Sequence, residues 1–198
     1  MYLMRSKSKA IDFERESTDV YHIIFRNSGK LSAFRDEADR RRFLKILDGK
    51  LKLLRGLIYA FILMDTHVHV LVKCKDINLL VKYVYCAYVG YFAARHNFKG
   101  HIFDWPATLA PKPVLKWQLD NLIYIVNNPV VAGLCKSPGG WKYSSFNFYF
   151  GRRNPLRDLI DVDASIVRNA FKDVRSFKRV LAAKAKYEIS ITRASRKY

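Results

Sequence analysis

The sequence predicts an α+β fold, and three observations carry that prediction. Two short apolar runs, Leu57 to Met64 and His67 to Cys74, flank Asp65-Thr66 as the strands of a hairpin flank a tight turn. Stretches with apolar residues at helical spacing lie on either side, such as Phe43, Leu47, Leu51 and Leu54. Half of the 198 residues are apolar or aromatic, enough to fill the core of a domain of ordinary size.

The remaining elements follow in order. Val20 to Arg26 reads as a strand, closed by a turn at Asn27-Ser-Gly29. Asp36 is a good helix cap with Asp39 three residues on, and that helix runs to Leu54 before Gly56 ends it. Asn78 can cap a long helix to about His96, rich in Tyr and Ala. His101 to Asp104 reads as a short strand, and Trp105 to Pro113, with three prolines, as a loop. Val114 to Asn128 reads as a helix stopped by Pro129. Six of these elements match the ferredoxin-like βαββαβ order, an antiparallel sheet with helices on one face. Residues 1–17 read as a loose polar arm, 18–150 as the main domain and 151–198 as a basic, mostly helical extension. Within that extension Ser176 to Ile189 forms a basic helix, with Phe177, Val180, Leu181 and Ala185 on its apolar side.

Charge narrows the partner. Lys and Arg number 36 against 17 Asp and Glu, a formal charge of +19. Such an excess implies an anionic partner, nucleic acid first and a membrane surface second. No apolar run is long enough to span a bilayer, and the first residues lack the apolar core of a signal peptide. Cys74, Cys86 and Cys135 are odd in number and widely spaced, which indicates neither a disulfide framework nor a zinc knuckle. A reducing cytoplasm fits, with the protein associated with the nucleoid.

Two places carry candidate chemistry. His67 and His69 sit one residue apart on a strand, so their imidazoles share a face and Val68, Val70 and Val72 share the other. The pair reads as half of a metal site or as two polar residues on a wet face. On the helix from Val114 to Asn128, Leu115, Leu119, Leu122 and Val126 form a narrow apolar stripe that reads as the core face. Tyr124 lies opposite it, with Asn128 one turn later and Trp117, Asp120 and Asn121 on the same side. That tyrosine is either a surface ring or a phenol presented to a site.

The motifs His67-Val-His69, Tyr124-Ile-Val-Asn-Asn128-Pro-Val-Val-Ala-Gly-Leu134 and Trp141-Lys-Tyr-Ser-Ser145 occur in this order. Together with Tyr21-His-Ile-Ile-Phe-Arg26 they resemble the single-tyrosine HUH transposases, and more narrowly the REP-associated tyrosine transposases. The resemblance covers roughly residues 20 to 150. The chain has Asp65-Thr66 where that family usually has Pro-Asn, and Asp104-Trp-Pro after His101-Ile-Phe103 where it usually has a basic continuation.

The resemblance implies His67, His69 and Asn128 as ligands of Mg²⁺ or Mn²⁺, and Tyr124 as a nucleophile that becomes joined to a 5′ phosphate. Its substrate would be hairpin-containing single-stranded DNA. Arg26, Lys73, Arg95, Lys99, Arg175, Lys178 and Arg179 are the basic residues assigned to the DNA backbone. A homodimer stays open, because some relatives supply the tyrosine helix from a partner. A catalytically inactive single-strand binder on the same scaffold is the alternative. A sheet that binds RNA through exposed aromatics fits less well, because outward strand positions carry His67 and His69.

Overall fold

Strand β1 (Val20–Arg26) lies between β3 (His67–Lys73) and β4 (Thr108–Pro111), and β2 (Leu57–Leu63) pairs with the outer side of β3. The result is a four-stranded sheet in the order β2-β3-β1-β4, with every pairing antiparallel. The computed structural model describes residues 18–29, 32–151 and 154–195. The arm read at residues 1–17 lies outside them.

Helix α1 (Glu37–Leu53) starts as its sequence dictates: the Asp36 side chain accepts a hydrogen bond from Asp39 N at 3.0 Å. Its end shows why Gly56 is glycine. A Cβ there would lie 2.4 Å from Leu51 Cδ2 and 2.8 Å from Lys73 O. Helix α2 (Ile77–His96) begins one residue before the expected cap, Asn78, with Asp76 at the cap position. By length and composition α2 could cross a bilayer. Here Leu80, Val84, Tyr88 and Phe92, at helical spacing, instead pack into the core against α1 and the sheet. Buried Asp39 joins the two helices: Arg95, His96 and Tyr91 of α2 all hydrogen-bond its carboxylate.

Helices cover both faces of the sheet, with α1 and α2 together on one and the later helices on the other. Val68, Val70, Val72, Ile23 and Phe25 meet α1 and α2 on one face. On the other, Ala60, Ile62 and Leu71 meet α3 (Leu115–Val131) and α5 (Val174–Ser195), with α4 (Ser165–Ala170) at the margin. The reason is written in β2, which is buried along both faces and therefore needs cover on both. Of the apolar side read for the extension, Phe177, Leu181 and Ala185 are buried and Val180 is partly buried. Leu156, Leu159 and Ile160 reach into the α1–α2 core, so the extension packs on both layers.

Two expectations are corrected. The fourth strand is not His101 to Asp104 but Thr108–Pro111, inside the proline-flanked segment read as a loop. An edge strand needs hydrogen bonds on one side only, so Pro111 costs the ladder nothing on the solvent side. The segment before it contributes Ile102 and Phe103 to the core and touches β1 through an Asn27–Phe103 bridge. Helix α3 also continues past Pro129 to Val131. It ends at Gly133, whose φ of +75° is the left-handed conformation that suits glycine, while Leu134 N donates to Pro129 O at 2.8 Å.

The Trp141-Lys-Tyr-Ser-Ser145 motif has a structural job. It covers the outer edge of β2: Trp141 Nε1 donates to Leu63 O, Leu63 N to Tyr143 O, and Phe61 N to Ser145 Oγ, all within 3.1 Å. Tyr149 OH completes the seam by donating to Tyr59 O.

Candidate active site

Strand alternation places His67, His69 and Leu71 on the face of β3 that α3 covers. Leu71 packs beneath α3, whereas His67 and His69 lie toward the end of the strand where Tyr124 and Asn128 of α3 pass above. The Tyr124 ring centroid is 5.5 Å from that of His69, and the His67 and His69 rings are 4.6 Å apart. Asn128 Nδ2 lies 3.4 Å from His69 Nε2. The four residues implied by the resemblance therefore come together, although the strand and the helix are far apart in sequence.

The helix face differs in detail from the narrow stripe expected. Leu122 and Val126 are buried, but so are Ile123 and Ile125, while Leu115 is 63% exposed. Tyr124 sits between two buried isoleucines and still keeps 38% of its surface open. It borders a shallow depression of about 280 Å³ with Lys112, Trp117, Asp120 and Asn121. A substrate can thus reach the phenol from solvent, past a cation and an indole.

A third histidine belongs to the site. His22 on β1 is 5% exposed, and its Nε2 is 2.9 Å from His69 Nδ1. Its other nitrogen, Nδ1, is 3.1 Å from Asn121 Nδ2 on α3. Sequence reasoning passed over it because only the β1–β3 register, Ile24 opposite His69, brings it near. The available signal was parity: His22 and Arg26 share one face of β1.

Burial dominates the electrostatics. It lowers the His69 pKa to about 3, with smaller contributions from the positive forms of His22 and His67 and from Arg26. Burial, then Lys112, lowers His22 to about 4. His67 is lowered too, again mainly by desolvation, against an opposing hydrogen bond that its ring donates to Asn128. All three imidazoles are therefore neutral at neutral pH and keep lone pairs. Thr66 Oγ1 lies 2.9 Å from His67 Nδ1, which leaves Nε2 of that ring for another partner. The residues that depart from the family's Pro-Asn thus have local roles, since Asp65 also pairs with Arg40.

Among the described residues no group of three or more His, Cys, Asp or Glu is arranged to hold a metal ion. The set that could hold one is mixed: His67 Nε2, His69 Nε2 and the Asn128 side-chain amide. Two neutral imidazoles and an amide oxygen suit a divalent ion of the Mn²⁺ or Mg²⁺ type that keeps positions for water and phosphate. Asn128 presents its oxygen there once its amide is turned, an exchange of two nearly isosteric ends.

The seven basic residues assigned to DNA are dispersed. Arg26 is exposed beside His67, to which it is paired in register. Lys73 lies at the other end of β3, roughly 20 Å along the strand, near Asp19 at 3.7 Å. Arg95 is taken up by Asp36 and Asp39. Lys99 is exposed just beyond α2, and Arg175, Lys178 and Arg179 are exposed on α5. Lys112, which borders the tyrosine, was not among those expected.

No family model and no curated protein matches the chain. The fold is similar to a solved structure, a REP-associated tyrosine transposase bound to a REP hairpin, at TM-score 0.56 and 16% identity, over 74% of this chain and 84% of that one.

Proposed function

We propose that this chain is a metal-dependent endonuclease and strand transferase acting on hairpin-containing single-stranded DNA, with Tyr124 as its nucleophile. One observation carries the reading: α3 lays Tyr124 and Asn128 over the His67–His69 face of the sheet, joining a reachable phenol to a set of metal-type donors. The +19 charge and the hairpin-bound structural neighbour support the substrate class. The strand order β2-β3-β1-β4, with two helices on one face and the tyrosine helix on the other, supports a ferredoxin-like scaffold.

In this reading His67, His69 and Asn128 hold Mg²⁺ or Mn²⁺. When bound, the ion neutralises a non-bridging phosphate oxygen and fixes the phosphate's orientation. Tyr124 Oη forms a bond to phosphorus and gives its proton to water. The bond from phosphorus to the 3′ oxygen breaks, and that oxygen leaves with the electron pair and takes up a proton. The 5′ phosphate stays on Tyr124 until a 3′ hydroxyl attacks it and reverses the exchange. His22 is not the base for the first step, because both its nitrogens are already engaged. Lys112 and Trp117 beside Tyr124 suit a backbone phosphate and a stacked base. Arg26 and the exposed side of α5, with Arg175, Lys178 and Arg179, are the surfaces proposed to meet the rest of the DNA.

The test is incubation with a hairpin labelled on the 3′ side of its single-stranded flank, with Mn²⁺ or Mg²⁺, followed by a denaturing protein gel. Label is expected to comigrate with the wild type and to be absent from Tyr124→Phe, which should still bind DNA. An adduct that persists in Tyr124→Phe excludes that nucleophile. Tight, salt-sensitive binding without any adduct would make the chain a binder alone.

A further inference from the structure

Four side chains form one continuous row: Asn128, His69, His22 and Asn121, spaced 3.4, 2.9 and 3.1 Å apart. A neutral imidazole has one N–H and one lone pair, so each ring passes the direction of hydrogen bonding from one end of the row to the other. Only two directions are self-consistent. In one, Asn121 Nδ2 donates to His22, His22 Nε2–H donates to His69, and His69 Nε2–H points at Asn128. In the other, His69 Nδ1–H donates to His22 Nε2, and His22 Nδ1–H must find an oxygen at Asn121.

Only the second direction leaves a lone pair on His69 Nε2, the atom that faces Asn128 and the proposed metal position. It requires Asn121 to turn its amide so that Oδ1, buried and without a hydrogen-bond partner as placed, accepts from His22. A ligating imidazole commonly donates its second N–H to a fixed acceptor, and losing that acceptor weakens metal binding by roughly 10–100-fold.

We propose that His22 and Asn121 are positioning residues that set the tautomer of His69: Asn121 Oδ1 holds the proton of His22 on Nδ1, and His22 Nε2 holds that of His69 on Nδ1. The inference rests on the metal reading of His69 but not on Tyr124 being the nucleophile. It gives α3 a second hold on the metal site, from one turn before the tyrosine as well as one turn after it.

The decisive measurement is a long-range proton–nitrogen NMR correlation on the full chain labelled with ¹⁵N, metal-free, which reads the tautomer of each histidine. Both His22 and His69 are expected as Nδ1–H. Finding His69 protonated on Nε2 overturns the proposal without any variant. Mn²⁺ affinity by calorimetry gives the second readout. His22→Phe and Asn121→Leu are expected to weaken it roughly 10–100-fold, and His22→Gln, whose amide oxygen can still accept from His69, to recover part of the loss. Affinity unchanged in both His22→Phe and Asn121→Leu overturns the proposal. Tyr124→Phe is expected to keep both tautomers and full Mn²⁺ affinity, so a failure of the nucleophile assignment shows separately.

Discussion

The two faces of β3 differ sharply in chemistry. Val68, Val70 and Val72 are fully buried against α1 and α2, among side chains that share one apolar chemistry. His67 and His69, each next to one of those valines, face α3 amid amides, a phenol and a third imidazole. An apolar face is satisfied by volume and close packing. A buried polar face must match donors to acceptors one by one, because each unmatched group costs desolvation free energy. The valine face therefore explains why the domain folds, and the histidine face is where function is best sought.

The largest expected difference comes from substituting neighbours across that divide. His67→Ala removes a half-buried imidazole of the proposed metal site and should lower Mn²⁺ affinity by more than the roughly 10–100-fold typical of losing a ligand's outer partner. Metal-dependent adduct formation should fall with it, while thermal stability changes little. Val68→Ala should do the reverse. It removes two buried methyl groups and should cost about 2 kcal/mol of stability, with Mn²⁺ affinity preserved. Calorimetric titration and chemical denaturation of both variants test this. Equal losses of affinity would mean that the faces are not separable.

How much of this was legible depends on which face is considered. The valine face could be read directly, since strand alternation and helical spacing are local patterns. They give β1, β2, β3, α1 and α2 within a residue or two at each end, and the buried side of α5, although that helix (Val174–Ser195) outruns the Ser176 to Ile189 reading. The fourth strand was hidden because its pairing uses one side only, so Pro111 is tolerated where a central strand would reject it. Helix α3 runs two residues past Pro129, which reads as a stop in the sequence. On the polar face the His67–His69 pair was visible as a parity pattern and Tyr124 as a residue off the apolar stripe. His22 and Asn121 were not, because their roles arise from strand register and helix placement, which no local window contains. Arg95, a basic residue assigned to DNA, is held by Asp36 and Asp39, partners that its own sequence neighbourhood does not reveal.

The next effect separates the faces by pH. Burial holds His22 and His69 below the ordinary imidazole value of 6.5, at about 4 and about 3. Between those values and 6.5 the unfolded chain binds protons that the folded chain refuses, so stability is complete above about pH 6.5 and declines as pH falls. The slope is at most about 1.4 kcal/mol per pH unit for each imidazole. Asp36 and Asp39 are also lowered. In Asp36 the Arg95 hydrogen bond is the largest cause, and in Asp39 hydrogen bonds from His96 and Arg95 outweigh a burial that alone would raise it. Their ordinary value is 3.8, so their contribution is lost at lower pH than most of the histidine loss. Denaturation midpoints from pH 7.5 to 5 should therefore fall for the wild type, and Val68→Ala should run parallel to it. A flat wild-type profile would show that the imidazoles are not buried neutral.

The smallest expected effect tests whether α3 can be weakened without disturbing the site it carries. Gly133 follows α3 in the left-handed conformation, at φ +75°, with nothing within 4 Å of where a Cβ would stand. Gly133→Ala therefore introduces no clash, only the conformational cost of a side chain at positive φ, about 1 kcal/mol. Asn128 lies more than one turn earlier, inside a helix held from both sides by buried Val126, Asn127 and Pro129. Stability should drop by that small amount while Mn²⁺ affinity and adduct yield stay at wild-type levels. If both fall together, the helix end and the proposed metal site share one cooperative unit. The polar face would then depend on the whole of α3 rather than on the Asn121-to-Asn128 stretch that touches the histidines.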